Sequence, residues 1–413
     1  MNGCKPHLAF VSPVFLFPND TGGRIRSTNI LRGLHDGAFE VTLICPASAE
    51  QQRTWAGPLQ QVCDHFVSWK PAPAQPRWLR ARGLFDTLPV NVISDRTKPA
   101  LELVRDTLAR TRFDLVVFDF VHAAVLRPEH VDAATVCFTH NVEAEIFARH
   151  AQTATTAVMR RIWASQQAKM ERFERESLRR FTSVVAVSER DARQFRERYG
   201  ITTAATIPTG VDLDFFAWHE TPPIDAEHPP TLAFTGSMDW DANIDGVRYF
   251  LSEVWPAVKA QVPDARFVVV GRSPPAALVE QAAALPGVSF TGFVDDVRPY
   301  VQRSHVFVIP LRVGGGTRIK AFEAMAMGCP VVSTAIGIEG LDVTAGEHYV
   351  QENAAPGMAR SIAELLRDAG RRTRLSKQAR DCVENRFGHR VAAQAFEQIC
   401  VQALRDHRPS AAA

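Results

Sequence analysis

The stretch Val306-Phe-Val-Ile-Pro-Leu-Arg-Val-Gly-Gly-Gly-Thr-Arg-Ile-Lys-Ala-Phe-Glu-Ala-Met-Ala-Met-Gly-Cys-Pro-Val-Val-Ser333 places two apolar runs on either side of three glycines and one amphipathic segment. Its periodicity predicts a buried strand, a glycine turn, a short helix and a second strand. Backbone N–H groups at a helix start gather around an anion, so a phosphate is the expected guest. With a helix over 317–327, Gly316, Lys320, Glu323 and Met327 share one narrow stripe, while Ile319, Phe322 and Ala326 form an apolar stripe suited to a sheet. A carboxylate and an ammonium then lie beside the glycines, and Arg318 adds a planar cationic fork in the first turn. Lys and Glu at this spacing also make ordinary solvated helix faces; the adjoining glycines favour the ligand reading.

Around this block, short apolar runs alternate with helical patterns. Residues 232–234, 266–270, 288–290, 305–310 and 330–333 read as strands, with helices over 246–262, 275–284 and 356–368. The first half repeats the alternation, with strands at 8–11, 40–45, 115–119, 135–139 and 183–187 and helices over 101–109 and 158–181. This predicts an α/β chain with two doubly wound parallel sheets. Glu220-Thr-Pro-Pro-Ile-Asp-Ala-Glu-His-Pro-Pro230 interrupts the pattern as a linker. The expected division is a first domain over 1–212, a linker over 213–230, a second domain over 231–388, a helix over 389–407 returning to the first domain, and a tail over 408–413.

Ligands of such sheets sit beyond the carboxyl ends of the strands. That directs attention to Asp20-Thr-Gly-Gly-Arg24 after the first strand and to His140 after the strand at 135–139. Gly22 and Gly23 either let a ligand approach the backbone or simply make a tight turn before a helix. His140 is a sugar contact, a general base, or a satisfied residue at a strand end.

Composition narrows the classes. A chain of 413 residues exceeds one ordinary core, and 47 basic against 45 acidic residues leave no field to recruit nucleic acid. Seven scattered cysteines without a Cys-x-x-Cys spacing read as small core hydrophobes in a reducing compartment. No run approaches the roughly 20 apolar residues of a spanning helix, so a cytoplasmic location is expected, with peripheral contact at the inner face of the membrane left open. Pro76-Arg-Trp-Leu-Arg-Ala-Arg-Gly-Leu-Phe85 mixes cations with large apolar groups as interfacial segments do. The mixed charges of 160–180 read as a solvated helix face. Phosphate-loop, dinucleotide, nucleophile-elbow and zinc-protease signatures are missing, which weakens kinase-like, dehydrogenase and hydrolase readings.

The pattern resembles the retaining glycosyltransferases of the GT-B fold, in particular family 4, whose two Rossmann-like doubly wound domains face each other across a cleft. The resemblance runs from Gly22-Gly23 through Thr139-His-Asn-Val-Glu143, Val187-Ser-Glu189, Ile207-Pro-Thr-Gly-Val-Asp212, Phe234-Thr-Gly-Ser-Met-Asp-Trp240, Val269-Val-Gly271 and Phe290-Thr-Gly-Phe-Val-Asp-Asp296 to Glu323-Ala-Met-Ala-Met-Gly-Cys-Pro-Val-Val332. It implies sugar transfer from a nucleotide diphosphate sugar to a saccharide or lipid-linked acceptor, with retention, in polysaccharide or glycoconjugate synthesis. Glu323 would hold ribose hydroxyls; Gly236, Gly314, Gly315, Gly316 and Thr317 would surround the sugar diphosphate; Phe293 and Val294 would line the base. His140 would touch the donor sugar, and Gly22, Gly23 and Arg24 would lie near the diphosphate and acceptor.

Two departures stand out. The family pattern has two glutamates eight positions apart, and Gly315 occupies the first. It also has an Arg and a Lys after the strand that opens the donor domain, where this chain has Ser237 after Gly236, and Asn243 at the Lys position. The expectation is that Arg318 and Lys320 neutralise the leaving diphosphate instead, acting with Glu323 and His140 as the catalytic set. Asp212-Leu-Asp214, Asp239-Trp-Asp241 and Asp295-Asp296 lie outside the glycine block, so neither metal nor cofactor is expected; the nucleotide sugar is a substrate. An epimerase of the same fold and a silent sugar-nucleotide binder are the alternatives, the latter because of Gly315.

Overall fold

The computed structural model describes residues 5–19, 21–72, 84, 86–154, 156–313 and 318–407. The chain divides into two compact units, Met1–Gly210 with His389–Ala413, and Val211–Gly388.

The first unit is built on strands β1 (His7–Val11), β2 (Glu40–Pro46), β3 (His65–Trp69), β4 (Leu115–Asp119), β5 (Ala134–Phe138), β6 (Ser183–Ala186) and β7 (Ala204–Thr206). All pair in parallel, in the order β3-β2-β1-β4-β5-β6-β7. Continuous apolar runs such as Leu115-Val-Val-Phe118 are what a strand covered on both faces requires. Leu8, Phe10, Val41, Leu43 and Val117 fill the core on one face, while Ala9, Val11, Val116 and Phe118 fill the other. Helix α1 (Gly22–Asp36) covers the first of these faces together with the closing helix His389–Asp406. At their crossing a Cβ on Gly33 would stand 2.3 Å from the Ala393 Cβ, so only glycine lets these helices approach. Gly22 and Gly23 are the first two residues of α1, where the sequence predicts a loop before the helix.

The second unit carries β8 (Thr231–Thr235), β9 (Arg266–Val270), β10 (Val288–Gly292), β11 (Val306–Ile309), β12 (Val331–Ser333) and β13 (Val350–Gln351), again parallel, in the order β10-β9-β8-β11-β12-β13. Both sheets have the doubly wound arrangement of the GT-B fold. The helix expected over 246–262 is three pieces, Asp241–Tyr249, a π-helical turn at Phe250–Val254, and Trp255–Gln261 with Pro256 in its first turn. The helix expected over 317–327 is Ile319–Ala326. Helix Ala369–Arg386 and strands β3, β7 and β13 escaped the sequence reading, being either polar in pattern or very short. The six described cysteines are buried and free, as the small-hydrophobe reading expects. No described helix is long and apolar enough to cross a membrane. Of the interfacial segment 76–85, only Leu84 lies among the described residues; its carbonyl accepts from Lys169 Nζ at 2.7 Å.

Glycine follows β8 and β9, at Gly236 and Gly271, and closes the neighbouring β10 at Gly292. The Gly236 N–H donates to the Val270 carbonyl at 2.9 Å, and a Cβ on Gly271 would fall 1.9 Å from the Gly236 oxygen. Backbone cannot retreat as a flexible side chain can. Gly271→Ala should therefore lower stability by about 1–3 kcal/mol, read as a lower unfolding midpoint in denaturant, with the Gly236 turn displaced.

Candidate active site

Lys320 reaches the glycine-ended crest of the second sheet from helix Ile319–Ala326. Its Nζ donates to Asn243 Oδ1 at 3.0 Å and stands 4.3 Å from the Phe234 ring centroid, a cation over an aromatic face. Asn243 Nδ2 donates in turn to the Ser237 carbonyl at 2.8 Å, which fixes the amide with its oxygen toward the lysine. A Cβ on Gly236 would come within 2.7 Å of both Lys320 Nζ and Asn243 Nδ2. The missing side chain at residue 236 is what admits the ammonium.

Glu323 lies nearly one turn further along the same helix, half-buried, its carboxylate without a hydrogen bond among the described residues. Burial lowers the Lys320 ammonium to about 7, and burial raises the Glu323 carboxyl to about 7; the attraction between the two opposes both shifts. Each charge has lost hydration that its neighbour only partly replaces. A ligand bringing phosphate oxygens to Lys320 and hydroxyls to Glu323 supplies what both groups lack.

Arg318 precedes the helix and does not sit in its first turn, because the helix starts two residues later than the glycine spacing predicts. It is buried, its Nε donates to the Ile336 carbonyl at 3.2 Å, and burial lowers its guanidinium below the ordinary arginine range. Arg318 thus ties the start of this helix to the turn after β12. Gly314, Gly315, Gly316 and Thr317 lie outside the described residues. Val294 follows β10, and beside it Phe293 is 72% exposed, an aromatic surface at a strand end.

In the first unit, β4 ends on Asp119, which is fully buried. It accepts from Ser12 Oγ at 3.0 Å, from Ser27 Oγ at 2.9 and 3.0 Å, and from His140 Nε2 at 2.8 Å. The other ring nitrogen of His140, Nδ1, stands 3.4 Å from Arg26 Nη1 and so accepts. Those partners define a neutral Nε2–H ring, and burial lowers its pKa from the usual histidine value. Arg26 itself is pushed down to about 10 by burial.

The ring of Phe120 stacks on His140 at 4.0 Å and on His122 at 5.2 Å. Phe120 has φ 67° and ψ 142°, a region that glycine occupies freely and other residues at a cost of about 1–3 kcal/mol. A Cβ on Gly23 would meet the Phe120 ring at 2.8 Å, so α1 begins directly against this stack. His122 Nδ1 in turn pairs with Asp95 Oδ2 at 2.5 Å. Arg24 bonds the Pro18 carbonyl at 3.4 Å.

Among the described residues the sequence points to His140, Gly22, Gly23, Arg24, Gly236, Val294, Arg318, Lys320 and Glu323, and not to Asp119, Ser12, Ser27, Arg26, Phe120 or the Asp95–His122 pair. One signal was available: an aspartate closing the wholly apolar run Leu115–Phe118 is a buried carboxylate that must find partners. Asn243 was noted only as a replacement, not as the partner of Lys320.

Residues 21–215 match the family model described as Glycosyltransferase Family 4, and residues 229–368 match Glycosyl transferases group 1. Between them the two models match most of the chain. A phosphatidyl-myo-inositol mannosyltransferase of Mycolicibacterium smegmatis is 31% identical over 191 residues, 45% of this chain and 48% of that protein. The chain spans about half the length, or less, of the curated relatives it matches. Among solved structures, sucrose-phosphate synthase from Thermosynechococcus elongatus aligns with TM-score 0.66 at 18% identity, over 97% of this chain and all of that one. Anabaena HepE in complex with UDP aligns with TM-score 0.63 at 13% identity, over 96% of this chain and all of that one. These likenesses establish the fold.

The His140 tautomer is directly observable. In long-range 15N–1H spectra at pH 6.5, where a solvated histidine is about half protonated, His140 should remain the neutral Nε2–H form, and a charged ring there would contradict the geometry.

Proposed function

We propose that this chain is a retaining glycosyltransferase that takes its sugar from a nucleotide diphosphate donor and passes it to a saccharide or lipid-linked acceptor in polysaccharide or glycoconjugate synthesis. The observation that carries the reading is the Lys320 ammonium, docked on Asn243 at the Gly236 crest beside the buried carboxyl of Glu323, which has no hydrogen-bond partner among the described residues. The two family models and the UDP bound by HepE support it.

On this reading Lys320 neutralises the diphosphate, and Glu323 accepts hydrogen bonds from the ribose. Phe293 and Val294 flank the base. Arg318, bonded to the Ile336 carbonyl just before the helix, adds a second positive charge near Lys320. The bond between sugar C1 and the phosphate oxygen breaks, the acceptor oxygen bonds C1 on the same face, and the acceptor proton passes to the departing phosphate. The residues' share is positioning and charge stabilisation, which is where such sites do most of their work. Side-chain cations neutralise the diphosphate, and no metal ion is invoked. In the first unit, the Asp119–His140 pair and the Phe120 stack form a rigid surface of their own at the carboxyl ends of β4 and β5.

Incubation with a panel of nucleotide diphosphate sugars and acceptor saccharides or lipids, followed by mass analysis, should give a glycosylated acceptor and free nucleoside diphosphate. Recovery of an isomerised sugar nucleotide without acceptor, or binding without turnover in every combination, would contradict transfer. Lys320→Met should cut turnover on the order of a hundredfold or more, with the fold intact by circular dichroism.

The pH dependence has a definite sign. Lys320 sits near pKa 7 in the free protein, and a bound diphosphate raises it, so binding above pH 7 takes up a proton. Donor affinity gained from this group is complete below pH 7 and falls as pH rises through the higher, bound value. Titration calorimetry at pH 8 in two buffers of different ionisation enthalpy should reveal proton uptake with UDP, and Lys320→Met should abolish it.

A further inference from the structure

At the end of the first sheet remote from Asp119 and His140, three strands begin with chemistry the transfer reaction does not use. His7 is the first residue of β1, Glu40 of β2 and His65 of β3. The register pairs His7 with Glu40 and Thr42 with His65. Parallel partners share a face and side chains alternate along a strand, so all four lie on one face of the sheet. One ligand atom each from His7, Glu40 and His65 lies within 4.8 Å of the others.

A hydrogen bond needs only two of these groups. His65 Nε2 meets Glu40 Oε1 at 2.9 Å, and the His7 ring approaches edge-on, its centroid 6.0 Å from that of His65. Two imidazoles and a carboxylate from three strands bring their donor atoms into one small region. A proton there serves one pair at a time, whereas a divalent cation serves all three. Backbone pairing already fixes where the three residues start, and His7 is fixed further by its N–H to Asp114 Oδ2 at 2.8 Å, its Nε2 contact with Thr42 Oγ1 at 2.7 Å and the Phe113 ring at 4.4 Å. The Glu40 and His65 side chains, 37% and 56% exposed, are free to rotate toward a shared ion.

We infer that His7, Glu40 and His65 form a zinc-binding site that clips the edge strand β3 to β1 across β2. Two nitrogens and one carboxylate oxygen are a donor set for zinc, while magnesium and calcium take oxygen ligands. Zinc bonds of about 2.0–2.1 Å require the three donors to draw closer than 4.8 Å, which side-chain rotation provides, and water completes the fourth position. The inference does not rest on the proposed transfer activity: the ion stabilises the sheet and takes no part in the reaction.

The test uses the untagged full chain with zinc chloride and magnesium chloride separately. Calorimetry should find one zinc per chain at micromolar affinity and no comparable magnesium binding, and zinc should raise the unfolding temperature. His65→Ala and Glu40→Gln should each weaken zinc at least tenfold and remove the thermal shift. Cobalt chloride should give the visible absorption of a four-coordinate site in the unsubstituted protein, a readout that survives even if a variant folds poorly. No saturable zinc binding, six-coordinate cobalt spectra only, or unchanged binding in the His7→Ala/His65→Ala chain would each overturn the inference.

Discussion

An ammonium withdrawn from water must be held by whatever replaces its hydration, and the Lys320 site shows what that demands of the surrounding chain. One amide oxygen, one aromatic face and one nearby carboxylate receive it. Each receiver depends on something else. Asn243 is oriented by the Ser237 carbonyl, Phe234 lies on a buried strand, and the space itself exists because residue 236 has no Cβ. Gly236 can sit where it does because Gly271 also lacks one. Helix Ile319–Ala326 then needs its apolar stripe, with Ala321, Phe322, Met325 and Ala326 buried, to keep the lysine aimed at the crest. The compensation remains incomplete, as the lowered lysine and raised glutamate pKa values record. That deficit is the feature a diphosphate nucleotide would fill on the proposed reading.

The first unit solves the opposite problem. Asp119 is a carboxylate wholly out of water, and Ser12, Ser27 and His140 satisfy it locally. His140 is consequently committed at both ring nitrogens, which makes it a rigid neutral wall rather than a mobile base. Phe120 holds its unfavourable backbone because two histidine rings and the start of α1 pack around it. Strain kept at a strand end beside a helix N-terminus is the kind of over-determined geometry found where ligands bind.

Much of this was legible in residue order. Continuous apolar runs marked most of the long-range strands, because a parallel sheet covered on both sides leaves no polar alternation to obscure them. The glycine-to-helix block marked Lys320 and Glu323 by their shared stripe. The helix start was misjudged because glycine-rich sequence does not say which residue first takes helical dihedrals; it is Ile319, so Arg318 turns toward Ile336. Strand β3 and helix Ala369–Arg386 have polar or mixed patterns, and their assignment comes from tertiary packing. Partnerships across long separations, such as Lys320 with Asn243 or Asp119 with Ser12, leave no local periodicity to read.

If the cation at Gly236 is what matters, and not the helix from which it comes, moving it should restore function. The decisive measurement is UDP affinity by calorimetry in Lys320→Met and in the double variant Asn243→Lys/Lys320→Met, which returns an ammonium to the same crest from helix Asp241–Tyr249. The account predicts a loss of at least tenfold in the single variant and recovery of most of it in the double. Unchanged affinity in Lys320→Met, with both proteins folded, would contradict it.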